Sequence, residues 1–204
     1  MRAILMAVAL LFSTAATAET FVANKGRTVY LKGVVSGNAF AAAERIERLS
    51  RTSDKPIDII INSPGGYVTP GLQLVSAMNV AQKRGVTIRC FVPMLAASMA
   101  FQVFAECNER YTLKYARLLW HPARTGFRGG VKWDQLLYAG KRLKTVEKIL
   151  VQRLLEIMEI DRKFFFYHFK YETLWNAMIL KKHTPDFFTI VDDFKNVDYA
   201  FSTR

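Results

Sequence analysis

The chain has 204 residues, 51% of them hydrophobic and 23% charged, with 29 Lys and Arg against 17 Asp and Glu for a formal net charge of +12. That length and apolar content suit one compact domain with a substantial core. The basic residues are spread from Lys25 to Arg204 without a dense block, and no zinc-finger or helix-turn-helix spacing occurs. The charge is therefore read as a solvated surface and not as a nucleic-acid site.

At the N-terminus Arg2 precedes an apolar run from Ala3 to Phe12, and Ser13 to Ala18 supplies small residues of the A-x-A kind before Glu19. This is the pattern of a removable export signal. The run is shorter than the roughly 20 apolar residues that span a bilayer, and no second apolar run of that length follows. The expectation is a signal over residues 1–18 and a single domain over 19–204, working in the periplasm or outside the cell without a stable membrane anchor.

Thr28 to Gly33 reads as a short strand with a glycine stop, and Asn38 to Ser50 as a helix carrying Phe40, Ile46 and Leu49 on one face. Ile57 to Ile61 is almost wholly β-branched and apolar, which suits a strand buried on both faces of a parallel sheet. Pro64-Gly65-Gly66 breaks it. Leu72, Val75, Met78, Asn79 and Gln82 then follow helical spacing up to Gly85. Val86 to Val92 predicts another core strand, Ser98 to Glu106 a helix, and Tyr111 to Leu113 and Arg117 to Trp120 two short strands. The alternation is that of right-handed crossover units on a mainly parallel sheet, an α/β fold.

Beyond Gly130, apolar residues from Trp133 to Met158 recur at steps of three and four and predict a helix of about seven turns, long enough to project and dock on another subunit. The aromatic stretch Phe164 to Tyr171, with Trp175 behind it, reads as core or interface packing. Cys90 and Cys107 are the only cysteines. In an oxidising compartment they form either a disulfide or a pair of buried, unbonded thiols.

A serine attacks a carbonyl only when a base takes its proton and fixed donors meet the developing negative charge. Ser98 stands at the start of a predicted helix among Ala96, Ala97 and Ala100, where free main-chain N–H groups favour an anion. Gly65 and Gly66, at the end of a buried strand, have the backbone freedom to aim an N–H at an oxyanion. The Met99 N–H is the second donor, and His121, at the end of a strand, is the base. His168 and His183 read as structural. No metal site is indicated, because the histidines and cysteines lack ligand spacing.

Asn62-Ser-Pro-Gly-Gly66, Ala96-Ala-Ser-Met-Ala100 and Trp120-His-Pro122 together resemble the oxyanion, nucleophile and histidine motifs of the Clp protease proteolytic-subunit family. Gly126-Phe-Arg-Gly-Gly130 resembles the glycine-rich strand before that family's handle helix, and the similarity runs from about Val29 to Asp192. The resemblance implies a crotonase-like α/β fold with a projecting handle helix, serine endopeptidase chemistry without a cofactor, peptide or unfolded-protein substrates, and homo-oligomeric rings. It also implies Ser98 as nucleophile, His121 as general base, and Gly65, Gly66 and Met99 around the oxyanion.

The family's third member is an aspartate ahead of the last helix. The matching segment here, Glu172 to Ala177, offers Glu172, with Asp161 and Asn176 as alternatives. The sequence departs from the family in a longer, glycine-free turn, Phe91 to Leu95, ahead of Ser98. It departs also in the export signal, which removes the chain from an ATP-driven unfoldase. A catalytically silent peptide-binding relative, and a Ser/Lys enzyme like signal-peptide peptidases, are the alternative readings.

Overall fold

A computed structural model describes residues 19–124, 130 and 132–198; the expected export signal and most of Gly126 to Gly130 lie outside the described residues. In chain order the elements are β1 (Thr20–Val22), β2 (Thr28–Lys32), α1 (Gly37–Thr52), β3 (Ile57–Asn62), α2 (Val68–Lys83) and β4 (Ile88–Val92). They continue with β5 (Leu95–Ala97), α3 (Met99–Ala105), β6 (Glu109–Leu113), β7 (Arg117–Leu119), α4 (Trp133–Met158) and α5 (Arg162–Lys170). Then come β8 (Trp175–Asn176), α6 (Ala177–Lys181), β9 (Thr189–Val191) and β10 (Asp193–Lys195).

Five strands form an entirely parallel sheet in the order β2-β3-β4-β6-β9. The run at Ile57 is apolar at nearly every position because both faces of β3 are covered. Ile57, Ile59 and Ile61 point into the main core with Ile88, Cys90 and Val92 of β4. The alternate residues Ile60 and Phe91 enter a second cluster with Phe21 and Val191. Full burial of each such isoleucine is worth about 1.5–3 kcal/mol. The one charged residue of the run, Asp58, is fully buried and accepts a fork of hydrogen bonds from Arg89 at 2.6 and 2.9 Å and the Asn24 N–H at 2.5 Å. The sheet is thus closed on its second face by β1 and β10, which pair in parallel, with Phe21 stacked on Phe91 at 4.8 Å.

On the other face α1 and α2 pack on one another. The buried stripe of α1 is Ala39, Ala42, Ala43, Ile46 and Ser50, and that of α2 includes Gly71, Leu74, Val75, Met78 and Ala81. Phe40 and Leu72, expected on the buried faces, are 36% and 37% exposed. Small residues hold many of the inner positions, with Ile46, Leu74 and Met78 filling the rest.

A second layer, β5-β7-β8, stands beside the main sheet; β5 runs parallel to β7, and β8 antiparallel to it. α4 spans 26 residues, yet only Leu154, Leu155 and Met158 at its C-terminal end are buried, while Trp133 is 71% exposed. The helix therefore docks by its last turns and carries its N-terminal half away from the core. Glu106, just past α3, anchors it through a two-pronged ion pair to Arg153 at 3.1–3.2 Å. Among the described residues no helix is long and apolar enough to cross a membrane. Cys90 and Cys107 are joined as a disulfide, with Cα atoms 5.9 Å apart, which closes the loop from β4 through β5 and α3.

Candidate active site

Ser98 lies where β5 ends and α3 begins, in a turn held from both sides. On one side Ser63, at the end of β3, donates its N–H to Leu95 O at 2.9 Å and accepts from the Ala97 N–H at 3.1 Å. On the other, the Ser98 N–H reaches Leu119 O, at the end of β7, at 2.9 Å. With its main chain tied to two strands, Ser98 adopts φ +55° and ψ −127°. Positive φ at a residue with a Cβ costs on the order of 1–3 kcal/mol and persists only where surrounding bonds impose it. The strained strand-to-helix turn is therefore present although Phe91 to Leu95 has no glycine; the β5 ladder supplies what a glycine would otherwise make easy.

Gly65 presses against this turn, and Gly66 against Val34 and Val35. Gly65 has φ +92°, and a Cβ there would fall 2.5 Å from Ala97 O and from Ser98 Cβ and 3.0 Å from the Met99 nitrogen. Gly66 bridges Val35 in parallel: Val35 N–H donates to Gly65 O, and the Tyr67 N–H donates to Val35 O. In such a bridge the flanking groups face the partner strand, so the Gly66 N–H faces away from Val35. The Met99 N–H belongs to the first turn of α3, where no intrahelical acceptor exists.

His121 follows Trp120, which fixes the end of the β7 segment. The indole is 2% exposed and stacks on Phe165 at 5.5 Å and Trp175 at 6.1 Å. His121 Nδ1 lies 2.7 Å from Pro122 O. Ser98 and His121 line the same cleft, of about 250 Å³, with Gly66 and Met99 on its wall. Val68, Leu150, Val151, Leu154 and Phe169 give it an apolar side, while Gln102, Arg124 and Glu147 bring polar groups.

Glu172 is ion-paired with Arg124. The Arg124 hydrogen bond, with the guanidinium charge and a smaller contribution from His121, holds its carboxyl below the usual range against some desolvation. Strand β8 pairs with β7 as Arg117 with Asn176 and Leu118 with Trp175, and His121 contributes to the electrostatics of Glu172. The two are thus electrostatic neighbours, but the hydrogen bond at Nδ1 goes to Pro122. The alternatives Asp161 and Asn176 are both helix caps. Asp161 accepts from the Phe164 N–H at 2.8 Å and Asn176 from the Met178 N–H at 2.9 Å.

His168 and His183 flank Phe164, with ring centroids 4.4 and 4.3 Å from it, and the Thr173 hydroxyl lies 2.8 Å from His168 Nδ1. Burial, helped by His183, holds the His168 imidazole below its ordinary range. Among the described residues no three His, Cys, Asp or Glu side chains are grouped to hold a metal ion.

Three residues at the cleft or just behind it were not singled out from the sequence. Gly71 lies inside α2, and a Cβ there would run into the Met99 side chain, so it leaves the space that Met99 fills. Its signal was a glycine within a helical pattern, which marks close approach. Glu147 accepts the Ala123 N–H at 2.6 Å; a carboxylate between Leu143 and Leu150 on an otherwise apolar helix stripe was the available sign. Arg124 carried no such sign, since its pairing with Glu172 spans 48 residues.

A protein-family model described as Clp protease matches residues 18–163 of the chain.

Proposed function

Because the chain belongs to the Clp protease family, whose activity is that of a serine peptidase, we propose that it hydrolyses peptides or unfolded protein chains through an acyl-enzyme on Ser98. The observation that carries this reading is the cleft shared by Ser98 and His121, with the Ser98 turn bonded directly to the strand that leads to the histidine. His121 Nε2 takes the hydroxyl proton as Ser98 Oγ bonds to the scissile carbonyl carbon, then gives it to the leaving amine. Water repeats the sequence to release the acid. The N–H groups of Gly66 and Met99 receive the negative charge on the carbonyl oxygen, each worth about 3 kcal/mol in the transition state. The apolar wall formed by Val68, Leu150 and Leu154 suits an uncharged substrate side chain.

Export is part of the proposal. The sequence of residues 1–18 and the Cys90–Cys107 disulfide support it, and in that setting the enzyme acts without an ATP-driven unfoldase. The exposed apolar residues of α4, Trp133, Leu136 and Leu137 among them, suit a homo-oligomeric assembly. A second reading, a silent peptide-binding relative, draws on the engagement of Glu172 by Arg124. A fluorophosphonate probe separates the two. It labels the folded mature protein and not Ser98→Ala if the first reading holds; peptide binding without label or turnover in either form selects the second.

A further inference from the structure

An imidazole that is to accept a proton at Nε2 must carry its own hydrogen at Nδ1 and needs an acceptor there. In this chain the acceptor is the Pro122 carbonyl at 2.7 Å. A carbonyl oxygen only accepts, so the contact fixes the hydrogen on Nδ1 and leaves the Nε2 lone pair free. The same peptide group is engaged at its other end, where the Ala123 N–H donates to Glu147 Oε2 at 2.6 Å. Carboxylate, amide and imidazole thus form a series of two hydrogen bonds through one planar unit. Bonds in series polarise one another. A negative carboxylate on the N–H end makes the carbonyl oxygen a stronger acceptor, and its effect grows when the ring becomes cationic.

The other carboxyl and amide groups of this region are engaged elsewhere: Glu172 by Arg124, Asp161 and Asn176 as helix caps. We propose that Glu147, acting through the Pro122–Ala123 peptide group, is the positioning residue that fixes the His121 tautomer and stabilises its protonated form. This takes the place of a carboxylate bonded directly to the ring. The inference rests on the serine peptidase reading for its consequence in catalysis, though the hydrogen-bond relay itself is independent of turnover. Glu147 sits on α4, one turn before Leu150 and two before Leu154, which line the cleft with it, so the same helix that shapes the apolar wall also sets the base.

The test compares the mature protein with Glu147→Gln and Glu147→Ala, each checked for an unchanged far-UV spectrum and melting profile. One readout is the rate of fluorophosphonate labelling across pH. The other is the pair of ¹⁵N shifts of the His121 ring, assigned by their loss in His121→Gln. Glu147→Gln keeps an acceptor but no charge, and the expected loss of labelling rate is about tenfold. Glu147→Ala removes both, with an expected loss of about a hundredfold, the range typical of groups that orient a reacting side chain from one layer out. In both, the acidic limb of the profile moves to lower pH, and in Glu147→Ala the ring shifts move from the Nδ1–H form toward a mixture of tautomers.

Wild-type rates, profile and ring shifts in both variants overturn the proposal, as does a loss confined to Glu172→Gln. If Glu147→Ala does not fold, Glu147→Gln decides through the charge-dependent part alone. If the wild type takes no label, the peptidase reading fails, while the ring shifts still decide the role of Glu147.

Discussion

Replacing Gly65 by alanine tests whether the glycine turn sets the geometry of Ser98. The backbone there has φ +92°, which costs an L-residue about 1–2 kcal/mol. The added methyl would stand 2.5 Å from Ala97 O and from Ser98 Cβ and 3.0 Å from the Met99 nitrogen. Two of those three are main-chain atoms, one at the end of β5 and one at the start of α3, so they give way only with the turn itself. Overpacking of this kind costs about 1–3 kcal/mol, for a combined loss of about 2–5 kcal/mol. At about 2–4 °C per kcal/mol for a chain of this size, the melting temperature falls by roughly 4–20 °C.

If the Met99 N–H is an oxyanion donor as proposed, its displacement removes about 3 kcal/mol of transition-state stabilisation, near a hundredfold in labelling or peptidase rate. Gly33→Ala is the control. Its φ is +68°, but nothing lies within 4 Å of the new methyl, so only the conformational cost applies and the labelling rate is unchanged. A Gly65→Ala protein that melts with Gly33→Ala and labels at the wild-type rate would refute the reasoning.

Two further outcomes follow from covalent and ionic features. The Cys90–Cys107 bridge closes a loop of 17 residues in sequence separation, worth about 3 kcal/mol in restricting the unfolded chain. The double Cys→Ala variant should therefore melt about 6–12 °C lower, as checked by calorimetry with and without reductant; equal melting of the two proteins would remove the bridge from the stability account. His168, held below its ordinary value of 6.5 by burial, binds its proton less readily folded than unfolded. Its contribution to stability is complete above pH 6.5 and is lost as pH falls through the lowered folded value. His168→Gln should flatten the melting temperature over that acidic window, and an unaltered slope would show that the titration lies elsewhere.

The parallel sheet was legible because its evidence is local. Ile57 to Ile61 carries the two-sided burial of β3 in its composition, and the sheet in the structure has that strand near its centre. The long helix was equally plain in the spacing from Trp133 to Met158. Helix faces were read less well. Weighting by size put Phe40 and Leu72 inward, whereas the buried positions include Ala39, Ala42 and Ala43 on α1 and, on α2, Gly71 against Met99, and a small residue at a close contact gives little hydrophobic signal. Strands β1 and β10 are three residues each, too short for a period to register. At the cleft, the segments bearing Ser98, His121 and Gly65-Gly66 could be seen as motifs. The destinations of Arg124, Glu147 and Glu172 depend on pairings 24 and 48 residues apart, which no local pattern encodes.

The parallel pairing of Thr20–Val22 with Asp193–Lys195 has a consequence for biogenesis. The aromatic layer of Phe21, Phe91 and Phe194 needs both segments, so that side of the sheet stays open to solvent until almost all of the described chain has been made. Closing so large a loop is entropically slow, and contacts of this kind delay the final folding step. Until then Phe91 and Ile60 remain exposed on an unfinished surface, a vulnerability to aggregation that a holding chaperone would relieve and that premature folding cannot.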